Sequence, residues 1–174
     1  MAEHQAASSK TKPLYTAEQK RIRDESGWTL VQGVLAPVQF VVFLVSLALV
    51  LRYLGTGEGQ VAATISIVIK TLTLYTIMIT GAIWEKVVFG VYLFAEGFYW
   101  EDMVSMLVLA LHTAYLVALF YDLLDTRALM LLALAAYATY VVNAAQFILK
   151  LRAARLQSAA ESMANAGAAM EAAQ

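Results

Sequence analysis

Four long apolar runs, separated by short polar breaks, dominate the pattern of this chain. Residues 28–53, 62–84, 103–121 and 128–149 make runs of 19 to 26 residues, and about 20 suffice for a helix to cross the hydrocarbon core of a bilayer. Between the first two, Leu54-Gly55-Thr56-Gly57-Glu58-Gly59 is a glycine-rich turn that continues a helix only at a cost. Residues 122–127 make a similarly short connection between the third and fourth. Short connections force antiparallel neighbours, so the expected fold is an all-α membrane protein with four transmembrane helices in an up-down-up-down bundle. Residues 1–27 form an N-terminal segment, 28–150 the membrane domain and 151–174 an alanine-rich tail, expected to begin as helix and fray into disorder. Pro37 falls inside the first run, where it cannot donate to the carbonyl of Gly33, and a kink is expected there.

Composition fixes the solvent. Apolar residues make up 61% of the chain and charged residues 14%, an excess that so short a chain cannot hide in a globule, and lipid is where it fits. Net charge is −1, which gives nucleic acid nothing to bind. The absence of cysteine excludes disulfides, thiolate metal sites and a cysteine nucleophile. Residues 1–23 lack the apolar core of a cleavable signal, so the first run itself is expected to drive insertion. Lys10, Lys12, Lys20, Arg21, Arg23, Lys86, Lys150, Arg152 and Arg155 fall on one side of the bundle and only Arg52 and Arg127 on the other. Positive residues stay in the cytosol, so both termini and the middle loop are expected there.

Polar side chains inside a span are costly and need a reason. At helical spacing they form stripes: Gln32, Gln39 and Ser46 on the first helix; Lys70, Gly81 and Glu85 on the second; Glu101, Ser105, His112 and Tyr115 on the third; Thr139, Asn143, Gln146 and Lys150 on the fourth. Such stripes face inward. At 1.5 Å of rise per residue, His112 lies roughly 14 Å inside its span, near the midplane, whereas Glu85 sits at the boundary and Asn143 and Gln146 roughly 5–9 Å in. Plainer roles compete. Gln39, Asn143 and Gln146 can serve as interhelical hydrogen-bond glue, Glu85 and Lys86 as an interfacial ion pair, and His112 as a packing histidine. Lys70 is expected to snorkel its ammonium to the far interface. The middle loop carries Trp84, Phe89, Tyr92, Phe94, Phe98, Tyr99 and Trp100, which suit either an interfacial aromatic belt or a flat, greasy ligand.

Beyond these generic features, the chain from about residue 14 to 155 resembles the 3-vinyl (bacterio)chlorophyllide hydratases of bacteriochlorophyll biosynthesis. The resemblance rests on Gly33-Val34-Leu35-Ala36-Pro37-Val38-Gln39-Phe40, on residues 47–54, on Ile79-Thr80-Gly81-Ala82-Ile83-Trp84-Glu85-Lys86 and on Tyr99-Trp100-Glu101-Asp102. Ala110-Leu111-His112-Thr113-Ala114-Tyr115-Leu116 and Ala135-Ala136-Tyr137-Ala138-Thr139-Tyr140-Val141-Val142-Asn143-Ala144-Ala145-Gln146-Phe147 complete it, in the same order and spacing. Glu96 departs from the apolar residue expected at its place and is given no role. The resemblance implies addition of water across the C3-vinyl group of a chlorin or bacteriochlorin, giving a 1-hydroxyethyl group, at the inner or photosynthetic membrane of a phototrophic bacterium.

That chemistry needs a proton on the terminal vinyl carbon, water on the inner one, and a dry, oriented pocket. The intermediate cation is conjugated with the macrocycle, so no redox cofactor is called for. A carboxyl group held away from water keeps its proton more readily, and Glu85, ending an apolar helix beside Trp84, is the first choice for the acid. Glu101 or Asp102 would deprotonate the water. His112 would ligate the substrate's magnesium or share the proton work. Trp84, Trp100, Gln39, Asn143 and Gln146 would line the substrate site, with Lys86, Lys150 or Arg152 anchoring its propionate. Expected partners are the pigment, membrane lipid, and a second copy of the chain or other pigment-biosynthesis enzymes. Two rival classes remain open. A non-catalytic pigment carrier or assembly factor would not need the acidic cluster, and a small transporter would need polar residues through both halves of the bundle.

Overall fold

The helix boundaries follow from local chain chemistry. A computed structural model describes residues 13–172, and Lys10 and Lys12 of the charge pattern lie outside the described residues. Five helices follow one another: α1 Ala17–Glu25, α2 Gly27–Thr56, α3 Gln60–Phe89, α4 Tyr99–Phe120 and α5 Thr126–Ala172. The last four are long and apolar enough to cross a membrane. Thr16 and Gln19 form a reciprocal capping box at the start of α1. Ser26 ends α1 and caps α2, its hydroxyl accepting from the Trp28 N–H at 3.2 Å. The turn from α2 into α3 requires left-handed backbone at Gly57 (φ 76°) and Gly59 (φ 84°), which only glycine adopts without strain. α2 runs unbroken through Pro37.

Packing pairs α2 with α3 and α4 with α5; the two hairpins then meet along looser α2–α5 and α3–α4 seams. Within the first hairpin, Gln32 reaches Thr80 at 2.8 Å and Ser46 reaches Ser66 at 2.7 Å, so numbers rise on one helix as they fall on the other. Small buried residues, among them Ala63, Ala133 and Ala136, allow the backbones to approach closely. Leu30, Val41, Ile65, Ile79 and Val142 point outward, where lipid takes the place of a protein partner.

The polar stripes do turn inward: Gln39, Ser46, Lys70, Glu85, Glu101, Ser105 and His112 are all buried. Two expectations fail. Lys70 does not snorkel; it is 0% exposed, with its ammonium 3.8 Å from the centroid of the Tyr140 ring. Ten residues, or about 15 Å, separate it from the start of α3, beyond a lysine's reach to water. Nor does the tail fray, because α5 stays helical to Ala172, as its high alanine content favours.

The Ser46 hydroxyl, within 2.5 Å of Tyr137 Oη and 2.7 Å of Ser66 Oγ, ties three helices together. Ser46→Ala is expected to cost about 0.6–2 kcal/mol, read as a lower midpoint in a denaturing-detergent titration. The lipid-facing Val41→Ala should leave the midpoint nearly unchanged.

Candidate active site

The site begins where α3 stops. Gly90 takes φ 83° and its N–H donates to the Lys86 carbonyl, ending the helix; the chain then doubles back through residues 91–98 into α4. This reversal sets Glu85, in the last turns of α3, against Asp102, in the first turn of α4. The two carboxyl groups lie close enough to interact. Two carboxyl groups held together away from water favour sharing one proton over both being ionised. The returning loop supplies the other donors: the Phe94 N–H to Asp102 Oδ2 at 2.7 Å and the Ala95 N–H to Glu85 Oε2 at 3.3 Å. Phe94 adopts φ 62°, a left-handed conformation that is strained for a phenylalanine and here aims its N–H at a carboxyl. Glu85 is 5% exposed and Asp102 3%.

Glu101 faces the other way, toward α5. Lys150 makes close contacts with both the Glu101 carboxylate and the Gly97 carbonyl. Two turns further in along α5, Asn143 donates to the Glu101 carbonyl at 2.8 Å and to Ser105 Oγ at 2.9 Å. The start of α4 is thus stitched to α5 by a cation and an amide. Lys86 donates to the Gly90 carbonyl at 2.6 Å and is exposed. Lys86 and Lys150 are therefore both engaged by the protein, which counts against either as the propionate anchor.

Aromatic rings roof this cluster. Trp84, Phe89 and Phe98 meet edge to face at centroid distances of 5.7 Å, Tyr15 stacks on Phe89 at 5.6 Å and Phe147 on Phe98 at 5.9 Å. The Trp84 indole N–H donates to Thr29 Oγ1 at 2.9 Å. Leu14 presses on Gly97, where an added Cβ would lie 2.8 Å from its Cδ1 and would make that side chain shift. Trp100 does not join the roof; it is 70% exposed and leans on Tyr99.

The expected single cavity is not formed. His112 follows Asp102 by ten residues on α4, about 15 Å of rise, and belongs to a separate group at mid-bundle with Lys70, Gln39, Tyr137 and Tyr140. Its Nδ1 lies 2.8 Å from the Val108 carbonyl; a carbonyl only accepts, so Nδ1 carries the hydrogen and the buried Nε2 keeps its lone pair. Gln146 Oε1 is buried and accepts no hydrogen bond among the described residues. Two open apolar grooves follow the seams between the hairpins. One, of about 310 Å³, is lined by Tyr75, Met78, Ile79, Leu109 and Thr113; the other, of about 220 Å³, by Phe43, Leu47, Leu134, Tyr137, Ala138 and Val141.

A family model described as 2-vinyl bacteriochlorophyllide hydratase matches residues 15–153. The chain belongs to this family. A relative from Rhodobacter capsulatus, named 2-vinyl bacteriochlorophyllide hydratase, is 66% identical over 150 residues, covering 86% of this chain and 87% of the relative. A second with the same name, from Cereibacter sphaeroides, is 66% identical over 144 residues, or 82% of this chain and 89% of that one. No solved structure matches. These names number the vinyl position 2 where the resemblance above numbers it 3.

Set in the 2-vinyl bacteriochlorophyllide hydratase family, the geometry sorts the expected residues. Glu85 and Asp102 meet at the α3–α4 turn, Glu101 and Asn143 are tied to one another between α4 and α5, Trp84 is part of the aromatic cluster, and His112 and Gln39 lie deeper. Sequence reasoning missed the two loop N–H donors, which no side-chain pattern encodes, and the Lys150–Glu101 ion pair, although both residues carried the signal of an inward stripe. Lys150→Met strands the buried Glu101 carboxylate, with an expected loss of about 1–3 kcal/mol, seen as a lower melting temperature in detergent. Adding Glu101→Gln should recover most of it.

Proposed function

We propose that the protein hydrates the vinyl group of chlorophyllide a or vinyl bacteriochlorophyllide a to the 1-hydroxyethyl group, within bacteriochlorophyll biosynthesis. It works as a four-helix, up-down-up-down multi-pass protein of the bacterial inner, photosynthetic membrane. Residues 28–150 make up the membrane domain, and both termini and the 91–98 loop face the cytosol. The names and close identity of its relatives support the reaction, and the carboxyl pair supports the mechanism.

Glu85, carrying the shared proton, delivers it to the terminal vinyl carbon, which becomes a methyl group. The positive charge left on the inner carbon spreads into the macrocycle. Water adds to that carbon through its oxygen, and the Asp102 carboxylate takes the proton that the water loses. The pair then again holds one proton, and passing it from Asp102 to Glu85 along their hydrogen bond restores the start. One water is consumed, with no oxidant, reductant or outside proton. Glu101 and Asn143 hold the first turn of α4, and so Asp102, in register with α3. The aromatic roof keeps bulk water from competing for the cation. His112, about 15 Å of helix from the pair, is too far to share the proton work or to hold the magnesium of a pigment whose vinyl group is at Glu85; its Nε2 would suit the magnesium of a pigment held at mid-bundle. Trp100 and Lys86 drop out of the substrate-binding set, being exposed and engaged elsewhere.

The observation that carries the mechanism is the direct contact between Glu85 and Asp102, buried at the meeting of α3 and α4. Glu85→Gln keeps the shape and the hydrogen bond but not the transferable proton. It should lower turnover of a vinyl chlorophyllide by about 10²–10⁴-fold while the protein still inserts and binds pigment. Product formation at the normal rate would exclude Glu85 as the acid. For orientation, a reporter that is active only in the cytosol should work when fused after residue 174 and fail when inserted between Gly57 and Gly59.

A further inference from the structure

We propose that Lys70 is the cationic anchor of a second, membrane-embedded subsite, which binds the ionised propionate arm of the tetrapyrrole substrate. The inference rests on the hydratase reading for the identity of the ligand, but on its own observations for the site.

Lysine ammonium groups in the hydrocarbon region are expensive and are kept where an anion or a function compensates them. Lys70 is fully buried, and its Nζ has no hydrogen-bond acceptor among the described residues. Its Nζ lies over the face of Tyr140, which stabilises a cation but does not neutralise it. Further buried polar atoms that make no hydrogen bond among the described residues lie on the other helices: His112 Nε2 on α4, whose ring meets Tyr137 at 5.8 Å one turn from Tyr140, and both amide atoms of Gln39 on α2, one turn from Phe43, whose ring meets Tyr140 at 4.9 Å. Among the described residues Lys70 makes no ion pair. Lys86 and Lys150, the cations nearer the carboxyl pair, are already engaged by backbone carbonyls and Glu101. Lys70 alone among these three lysines has lost water without gaining an acceptor.

A route to it is visible. Phe43 and Tyr137 line the groove of about 220 Å³ on the α2–α5 seam, and the same two rings, with Tyr140, close the polar group off from lipid at centroid distances of 4.9 and 5.5 Å. A flat tetrapyrrole arriving from the bilayer meets aromatic faces first, and displacing them lets its carboxylate reach Lys70, with the Gln39 amide as a second donor. Lys70 and Glu85 stand fifteen residues apart on α3, about 22 Å of rise, farther than one macrocycle spans. A pigment with its propionate at Lys70 is therefore in a holding position and moves along the bundle before its vinyl group meets the acid.

The test compares binding of chlorophyllide a with that of its methyl ester, whose arm carries no charge, by fluorescence titration of the full-length protein in nanodiscs, with vinyl turnover measured in parallel. The wild type should bind the free acid at least tenfold more tightly than the ester. Lys70→Met should weaken the acid about tenfold or more and leave the ester unchanged, so that the preference collapses, while Lys70→Arg should keep part of it. Equal affinity of the wild type for acid and ester would overturn the proposal without any variant. So would an undiminished preference in Lys70→Met, or an equal loss for both pigments, which would mark a packing role. If wild type hydrates neither pigment, the hydratase reading fails, and the binding comparison still decides the subsite.

Discussion

Within a bilayer no water is at hand to satisfy a polar group, and each must find its partner in the protein or do without. This constraint organises the whole molecule. Outward positions are surrendered to leucine, isoleucine and valine, and polar side chains collect on the inner faces of the helices. Where the inner faces can close hydrogen bonds, as at Ser46, Ser66 and Tyr137 or at Asn143, Glu101 and Ser105, they hold the bundle together. Where they cannot, as at Lys70, Gln39 and His112, the remaining need points to a ligand.

The same constraint underlies the role we propose for the carboxyl pair. Glu85 and Asp102 are brought together by a helix stop at Gly90 and a loop that returns its own N–H groups to them. Each accepts one backbone donor, and in the proposed mechanism the two share a single proton. A group that must hold a proton because its neighbour is another carboxyl is a proton donor in waiting, and the neighbour is a base as soon as that proton leaves. Hydration asks for that sequence and nothing more, since the macrocycle itself carries the transient charge.

Much of the fold was legible because its signals are one-dimensional. Run length marks a span, and periodicity gives the face that turns inward, which placed Glu85, Glu101, His112 and Gln39 correctly in the interior. Periodicity gives azimuth but not distance along the axis between helices, so His112 and the carboxyl pair were read as one cavity when about 15 Å of helix separates them. Lys70 was misread through a rule for lysines near helix ends, which fails at a depth where the side chain cannot reach water. The Lys150–Glu101 pair, and the N–H groups of Phe94 and Ala95, depend on the path of a nine-residue loop whose left-handed turns at Gly90 and Phe94 fix where the donors point. Only Gly90 left a trace of that path in the sequence.

The central claim is that Glu85 and Asp102 hold one proton between them before substrate arrives. Infrared spectroscopy of the resting protein in nanodiscs at neutral pH addresses it directly. A protonated-carboxyl C=O stretch that shifts in D2O and disappears in Asp102→Asn, Glu85→Gln double substitution is the predicted result. A spectrum in which that substitution removes only carboxylate bands would contradict the account.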